Sequence, residues 1–186
     1  MIERYEIRLA GEGGQGLQLA GLILAEAAAI YDNKYAVQTQ SYGAQQRGGL
    51  SLSDVIISDE EIDYPKVLAA DLLVALSQNA CDRFYHSLAR QGILIVDSSM
   101  VTRVPTSRAW RLPITETAKR VAERPVVANI VALGVLSALS NIVSWGAIRA
   151  AVLARAPRGT EELNLRALEA GREAAQAAMR ETSAAS

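Results

Sequence analysis

Gly11-Glu12-Gly13-Gly14-Gln15-Gly16 places four glycines in six positions, between the alternating run Tyr5-Glu6-Ile7-Arg8-Leu9-Ala10 and the Ala/Leu-rich run from Leu17 to Tyr31. Glycine permits positive φ and lets another backbone or a phosphate come close, so this composition marks a tight strand-to-helix turn. Where such a turn opens a helix, unpaired N–H groups and the positive end of the helix dipole face outward and favour an anion. The spacing satisfies G-x-G-x-x-G. The dinucleotide fingerprint also expects an acidic residue about 20 positions on, at the end of the second strand, and that end reads Val37-Gln38-Thr39-Gln40. Two readings stand: a site for a phosphate-bearing ligand, or a turn built for tight packing and a partner's close approach.

Working outward, Ile7 and Leu9 face a core from strand one, and Leu17, Ala20, Leu24, Ala27 and Ala28 recur at helical spacing until Asp32-Asn33. Residues 34–40 form a second strand leading to Ser41-Tyr42-Gly43-Ala44-Gln45-Gln46-Arg47-Gly48-Gly49, a polar loop suited to recognition. Leu50–Ser58 alternates as a third strand, with either face open to the core, and the acidic stretch Asp59–Pro65 is a turn leaving the sheet. Leu72-Leu73-Val74-Ala75-Leu76 and Ile93-Leu94-Ile95-Val96 are unbroken apolar runs of strand length, which need helices on both faces. A helix from Asn79 to Arg90, ending at Gly92, joins them as a βαβ unit and puts Ser77-Gln78 and Asp97-Ser98-Ser99 at strand carboxyl ends, where open α/β sheets bind ligands. A short strand between Arg108 and Ile114 and a helix from Thr115 to Glu123 follow. Three more helices complete the chain: a nearly wholly apolar one (Val126–Leu139), Ser144–Arg155, and the amphipathic Glu161–Arg180. The expectation is one α/β domain over residues 1–181, doubly wound on a mostly parallel sheet with C-terminal helices, and a disordered tail at 182–186.

Composition narrows the chemistry. The 186 residues carry 19 Lys+Arg against 20 Asp+Glu, a formal charge of −1, which gives no field for nucleic acid. One Cys and one His cannot ligate an iron–sulfur cluster or a closed zinc site, and no apolar run is long enough to span a bilayer. The lone cysteine and the lack of a leader-like pattern point to a reducing cytoplasm. His86 has no partners for a triad and reads as a surface or packing residue; Cys81 reads as an inert small residue. Asp97 is a candidate ligand contact or the cap of the following turn. Arg47, alone in a Gln/Gly loop, offers a five-donor fork for a carboxylate or phosphate, or a structural salt bridge. The residues describe an anion- or partner-binding domain without a catalytic set of its own, and a free-standing nucleotide-binding module is the competing reading.

Gly13-Gly14-Gln15-Gly16, Ser41-Tyr42-Gly43, Arg47-Gly48-Gly49, Asp63-Tyr64-Pro65 and Asn129-Ile130-Val131-Ala132-Leu133-Gly134 together resemble the gamma subunit of 2-oxoacid:ferredoxin oxidoreductases, nearly end to end. The run Tyr35–Gly43 looks most like the gamma subunit of the 2-oxoglutarate enzyme; pyruvate, ketoisovalerate and indolepyruvate enzymes are the alternatives. The resemblance implies a Rossmann-like fold and a chain that is inactive alone. It also implies alpha, beta and ferredoxin-like delta partner subunits, thiamine diphosphate between alpha and beta, and iron–sulfur clusters in other chains. The assembled enzyme would convert a 2-oxoacid and CoA to an acyl-CoA and CO2, with ferredoxin as electron acceptor. The site it implies comprises Gly11, Gly13, Gly14, Gln15, Gly16, Ser41, Tyr42, Gly43, Arg47, Gly48 and Gly49, close to CoA or to a partner subunit. The match breaks at Ala44-Gln45-Gln46, where relatives usually carry Pro, Glu and a small residue; Gln45 keeps the size and loses the charge.

Overall fold

The structure, a computed structural model, describes residues 2–42, 49–122 and 125–184. In chain order the elements are β1 (Tyr5–Glu12), α1 (Leu17–Glu26) continued by a π-helical turn (Ala27–Tyr31), β2 (Tyr35–Tyr42), β3 (Leu50–Ser58), β4 (Ala70–Ala75), α2 (Gln78–Phe84), β5 (Leu88–Asp97), β6 (Trp110–Leu112), α3 (Ile114–Ala122), α4 (Ala128–Ser140), α5 (Trp145–Arg155) and α6 (Glu161–Ala184). They build a six-stranded sheet in the order β2-β3-β1-β4-β5-β6. The two apolar runs joined as a βαβ unit are parallel neighbours as expected, β4 beside β5; β1 pairs parallel with β4 on the other side, and β6 extends the set. β3 runs against the rest, antiparallel to both β1 and β2, so the sheet is mixed. The physical reason is the length of the β2–β3 connection, residues 43–49, because a parallel return needs a crossover of about a dozen residues or more.

Strand alternation divides the core into two layers. Ile7, Leu9, Val55, Ile57, Leu72, Val74 and Ile95 pack on one face against Leu17, Ile23 and Leu24 of α1 and Ile130, Val131 and Leu133 of α4. Ala10, Leu73, Ala75, Leu94 and Val96 face the other way, onto Ala80 and Cys81 of α2 and onto Val101. Each fully buried Leu or Ile side chain contributes roughly 1.5–3 kcal/mol relative to exposure. The alternation of β3 is thereby settled: Val55 and Ile57 join the α1 face, while Leu50 and Leu52 pack on the α2 face. On that second face Asp54 takes a two-pronged ion pair from Arg8, at 2.9 and 2.8 Å, and the Arg8 guanidinium lies over the Phe84 ring.

The apolar helix expected at Val126–Leu139 is observed as α4, buried from Ala128 through Ser137 within the chain's own core. Its closest neighbour is α6, and the two backbones meet at a pair of glycines. A Cβ on Gly134 would lie 2.0 Å from the Leu168 carbonyl oxygen, and one on Gly171 would lie 2.1 Å from that of Val131.

Two boundaries differ from expectation. The helix predicted over Asn79–Arg90 ends at Phe84, followed by a 3-10 turn (Tyr85–Ser87), and Leu88–Gly92 belong to β5. Pairing of Leu88 with Ala70, and a register irregularity before Leu72 meets Ile93, override the helical propensity of Leu88-Ala89-Arg90-Gln91. At the other end α6 continues through Thr182–Ala184, residues assigned above to a disordered tail; Ala185 and Ser186 lie outside the described residues. No helix among the described residues is long and apolar enough to cross a membrane.

Candidate functional site

β1 and β2 point the same way because each is antiparallel to β3, so their carboxyl ends lie on one sheet edge. Ser51 of β3 sits between Gly11 on one side and Tyr42 on the other, which sets the start of the glycine loop one strand away from the end of β2. The Gly13 N–H donates to the Gly49 carbonyl at 3.0 Å, joining the glycine loop directly to the far end of the second loop. Ser41 and Tyr42 close β2 at this edge; Gly43, Ala44, Gln45, Gln46, Arg47 and Gly48 lie outside the described residues.

The glycine loop is braced from three directions. Gln15 folds back so that its Oε1 accepts the Glu12 N–H at 2.6 Å, while its Nε2 donates to the Leu76 carbonyl at 3.1 Å, just past β4. Gly16 caps α1 with φ 71°, a left-handed conformation costly for a residue with a Cβ, and a Cβ there would also meet Asn129 Nδ2 at 2.6 Å. Asn129 donates from that nitrogen to the Gly16 carbonyl at 3.1 Å and accepts the Ile130 N–H at 3.0 Å, fixing the loop to the start of α4. No side chain caps α1, and the exposed Gly14 and Gly16 N–H groups have no acceptor among the described residues. The loop therefore presents free donors and a helix N-terminus on a braced base, an arrangement chemically suited to an anion.

Below the loops runs a polar layer that residue patterns did not single out. Gln18 donates to the Leu52 carbonyl at 2.9 Å, and Gln38 donates to both the Gln18 carbonyl and Ser53 Oγ at 2.9 Å. The legible signal was the placement of Ser51 and Ser53 on the otherwise apolar alternation of β3.

Asp97 does stand at a strand carboxyl end, but it is fully buried and its carboxylate is consumed locally. It accepts the N–H of Ser99 and of Thr115, each at 3.0 Å, and the Thr115 hydroxyl, so it caps the turn after β5 and the start of α3. His86 is exposed, edge-on to Tyr85, away from both loops. Cys81 is buried on α2, and burial, with a smaller contribution from Asp82, raises its thiol above the ordinary value. The raised value means that the stability from keeping this thiol neutral is complete below the unfolded-chain pKa and is lost as pH rises through the folded one. Iodoacetamide at mildly alkaline pH should alkylate Cys81 slowly in the native chain and rapidly in denaturant; equal rates would show an accessible thiolate.

No group of three or more His, Cys, Asp or Glu among the described residues could hold a metal ion, and one Cys with one His cannot supply the donor set of an iron–sulfur cluster.

Residues 6–174 match the family described as Pyruvate ferredoxin/flavodoxin oxidoreductase. The 2-oxoglutarate synthase subunit KorC of Methanocaldococcus jannaschii is 50% identical over 93% of this chain and 95% of its own length. KorC of Methanothermobacter thermautotrophicus is 49% identical over 93% and 96%. Among solved structures, the gamma subunit of a keto/oxoacid ferredoxin oxidoreductase from Geobacter sulfurreducens superposes with a TM-score of 0.86 at 51% identity, covering 94% of this chain and 98% of that one. Near-complete coverage in both directions and a shared fold lead to one assignment: the chain belongs to the pyruvate ferredoxin/flavodoxin oxidoreductase family, as a gamma subunit of a 2-oxoacid:ferredoxin oxidoreductase.

Proposed function

We propose that this chain is the gamma subunit of a 2-oxoglutarate:ferredoxin oxidoreductase, a cytoplasmic assembly with alpha, beta and delta partner subunits. The carrying observation is the end-to-end likeness to KorC subunits at 50% and 49% identity. The assembly would convert 2-oxoglutarate and CoA to succinyl-CoA and CO2, passing two electrons to ferredoxin. Thiamine diphosphate, held between partner subunits, would supply the carbanion chemistry, and their iron–sulfur clusters the electron path.

Within that assembly the work of this chain is binding. A Rossmann-like, doubly wound reading of the sheet supports an anion site at its carboxyl edge, where open α/β folds receive ligands. Gly14 and Gly16 offer free backbone donors in the loop that Gly11, Gly13 and Gln15 complete, and Ser41, Tyr42, Gly43, Arg47, Gly48 and Gly49 would supply the rest of the site. The pair suits a CoA phosphate or a carboxylate of a partner subunit. Gln15 and Asn129 hold the donors in place before the anion arrives, which lowers the ordering cost on binding.

Coexpression with the partner subunits and steady-state assay with 2-oxoglutarate, pyruvate and 2-oxoisovalerate tests the substrate. The expected result is a kcat/KM for 2-oxoglutarate at least about tenfold above the others, a difference of about 1.4 kcal/mol; equal or reversed preference overturns the assignment. In the same assembly Arg47→Ala should weaken CoA use or subunit association by roughly 1.5–3 kcal/mol, with partial rescue by Arg47→Lys, which lacks the bidentate fork. Unchanged assembly, CoA KM and turnover would leave the second loop a structural turn.

A further inference from the structure

A second concavity lies on the α2 face, near the opposite edge of the sheet. It opens between the amino-terminal half of β5, which pairs with the start of β4 at Ala70, and the return segment that precedes β6. Its volume is about 330 Å3, and its walls include Arg90, Arg108, His86, Tyr85 and Thr106 over an apolar floor with Leu94. No Asp or Glu among the described residues lines it. Arg108 is braced by a 3.2 Å hydrogen bond from its Nη2 to the Arg90 carbonyl, and neither guanidinium has an ion-pair partner among the described residues.

The surroundings reinforce the sign. The one carboxylate between Arg83 and Arg111, Asp97, is buried and fully hydrogen-bonded, and Arg103 is paired with Asp82 at 3.2 Å, so the unpaired cations at the cleft are Arg90 and Arg108. Two forks, an imidazole and two hydroxyls belong to the residues that line it. The chemical class that accepts from all of these, and that gains from two unpaired guanidiniums, is an oxyanion.

We propose that this cleft is a binding site for a small molecule bearing a phosphate or carboxylate group, separate from the glycine-loop edge. Arg90 and Arg108 would hold the oxyanion, and Tyr85, His86 and Thr106 would orient it against the apolar floor.

The test is titration of the full chain with inorganic phosphate and, separately, malonate at low ionic strength, followed by the backbone amide NMR shifts of Ala89, Gly92 and Leu94. These positions distinguish the cleft from any binding at the glycine loop. Saturable shifts at millimolar concentration are expected, weakening as NaCl is added because the site is open to screening. The double substitution Arg90→Gln, Arg108→Gln should lower the affinity roughly tenfold or more, and the single Arg108→Gln by less. Absence of localised shifts with both anions overturns the proposal, as does binding that survives the double substitution. Should neither anion bind while the double variant fails to assemble with partner subunits, the cleft holds a protein carboxylate and the small-molecule site is refuted.

Discussion

Gly134→Ala should destabilise the chain by about 3 kcal/mol, the upper end of what overpacking costs, and lower the melting temperature by about 6–12 °C for a domain of this size. The contact that would be violated is with backbone, not with a side chain that can swing aside: the added Cβ falls 2.0 Å from the Leu168 carbonyl oxygen. Gly171→Ala should behave alike, since its Cβ would fall 2.1 Å from the Val131 carbonyl oxygen. The sign is diagnostic. At an uncrowded helix position the same change stabilises by about 1 kcal/mol through helix propensity alone. Denaturant titration reads the outcome as a fall in midpoint with little change in slope. A stabilised Gly134→Ala chain would mean that α4 and α6 do not approach as closely as described. The double variant should cost less than the sum of the two, because one displacement of α6 relieves both clashes.

The second large effect is expected at Asp97. Truncation to alanine strands the N–H and hydroxyl of the buried Thr115, each stranded donor costing about 1–3 kcal/mol, while the N–H of the exposed Ser99 turns to water. A loss of about 3 kcal/mol or more is the expectation. Asp97→Asn keeps one acceptor oxygen but turns an amide N–H toward one of those donors, so it should retain part of the stability. Comparing stability with turnover in the assembled enzyme separates capping from ligand contact. Capping moves the unfolding midpoint and leaves kcat and KM of the folded fraction in place. A ligand role would do the reverse, with Asp97→Asn stable and impaired.

Legibility from sequence followed the physics of each signal. The strands buried on both faces were readable because Leu72–Leu76 and Ile93–Val96 are continuous apolar runs. α4 was readable because few settings other than a core suit Ile130, Val131, Leu133, Val135 and Leu136 together. Leu88–Gln91 was not readable, because its residues favour helix locally and only pairing with Ala70 and the rest of β4 makes them a strand. Strand direction carries no periodicity at all; the reversal of β3 could have come only from the brevity of the connection before it. At the candidate site the glycines announced a turn, while the braces were silent. Nothing in the spacing of Gln15 and Leu76, or of Gly16 and Asn129, says that they meet across 61 and 113 residues. Long-range hydrogen bonds of this kind exist only once the fold has placed both ends.

The reversal of β3 carries a consequence for how this chain tolerates change. With β2 and β3 antiparallel neighbours, residues 43–49 connect the two arms of a hairpin, anchored below by the Tyr42–Ser51 and Ser41–Leu52 pairs. Lengthening such a connection adds only about 0.6 kcal/mol of closure entropy per doubling, and leaves strand register untouched. A parallel β2–β3 pair would instead have required a crossover helix whose apolar face belonged to the core, so that any insertion disturbed packing. The segment proposed to meet CoA or a partner is therefore separable from folding. Its length and charge, including those of Ala44-Gln45-Gln46, can drift or be exchanged as a cassette while β1, β4 and the glycine turn stay as they are.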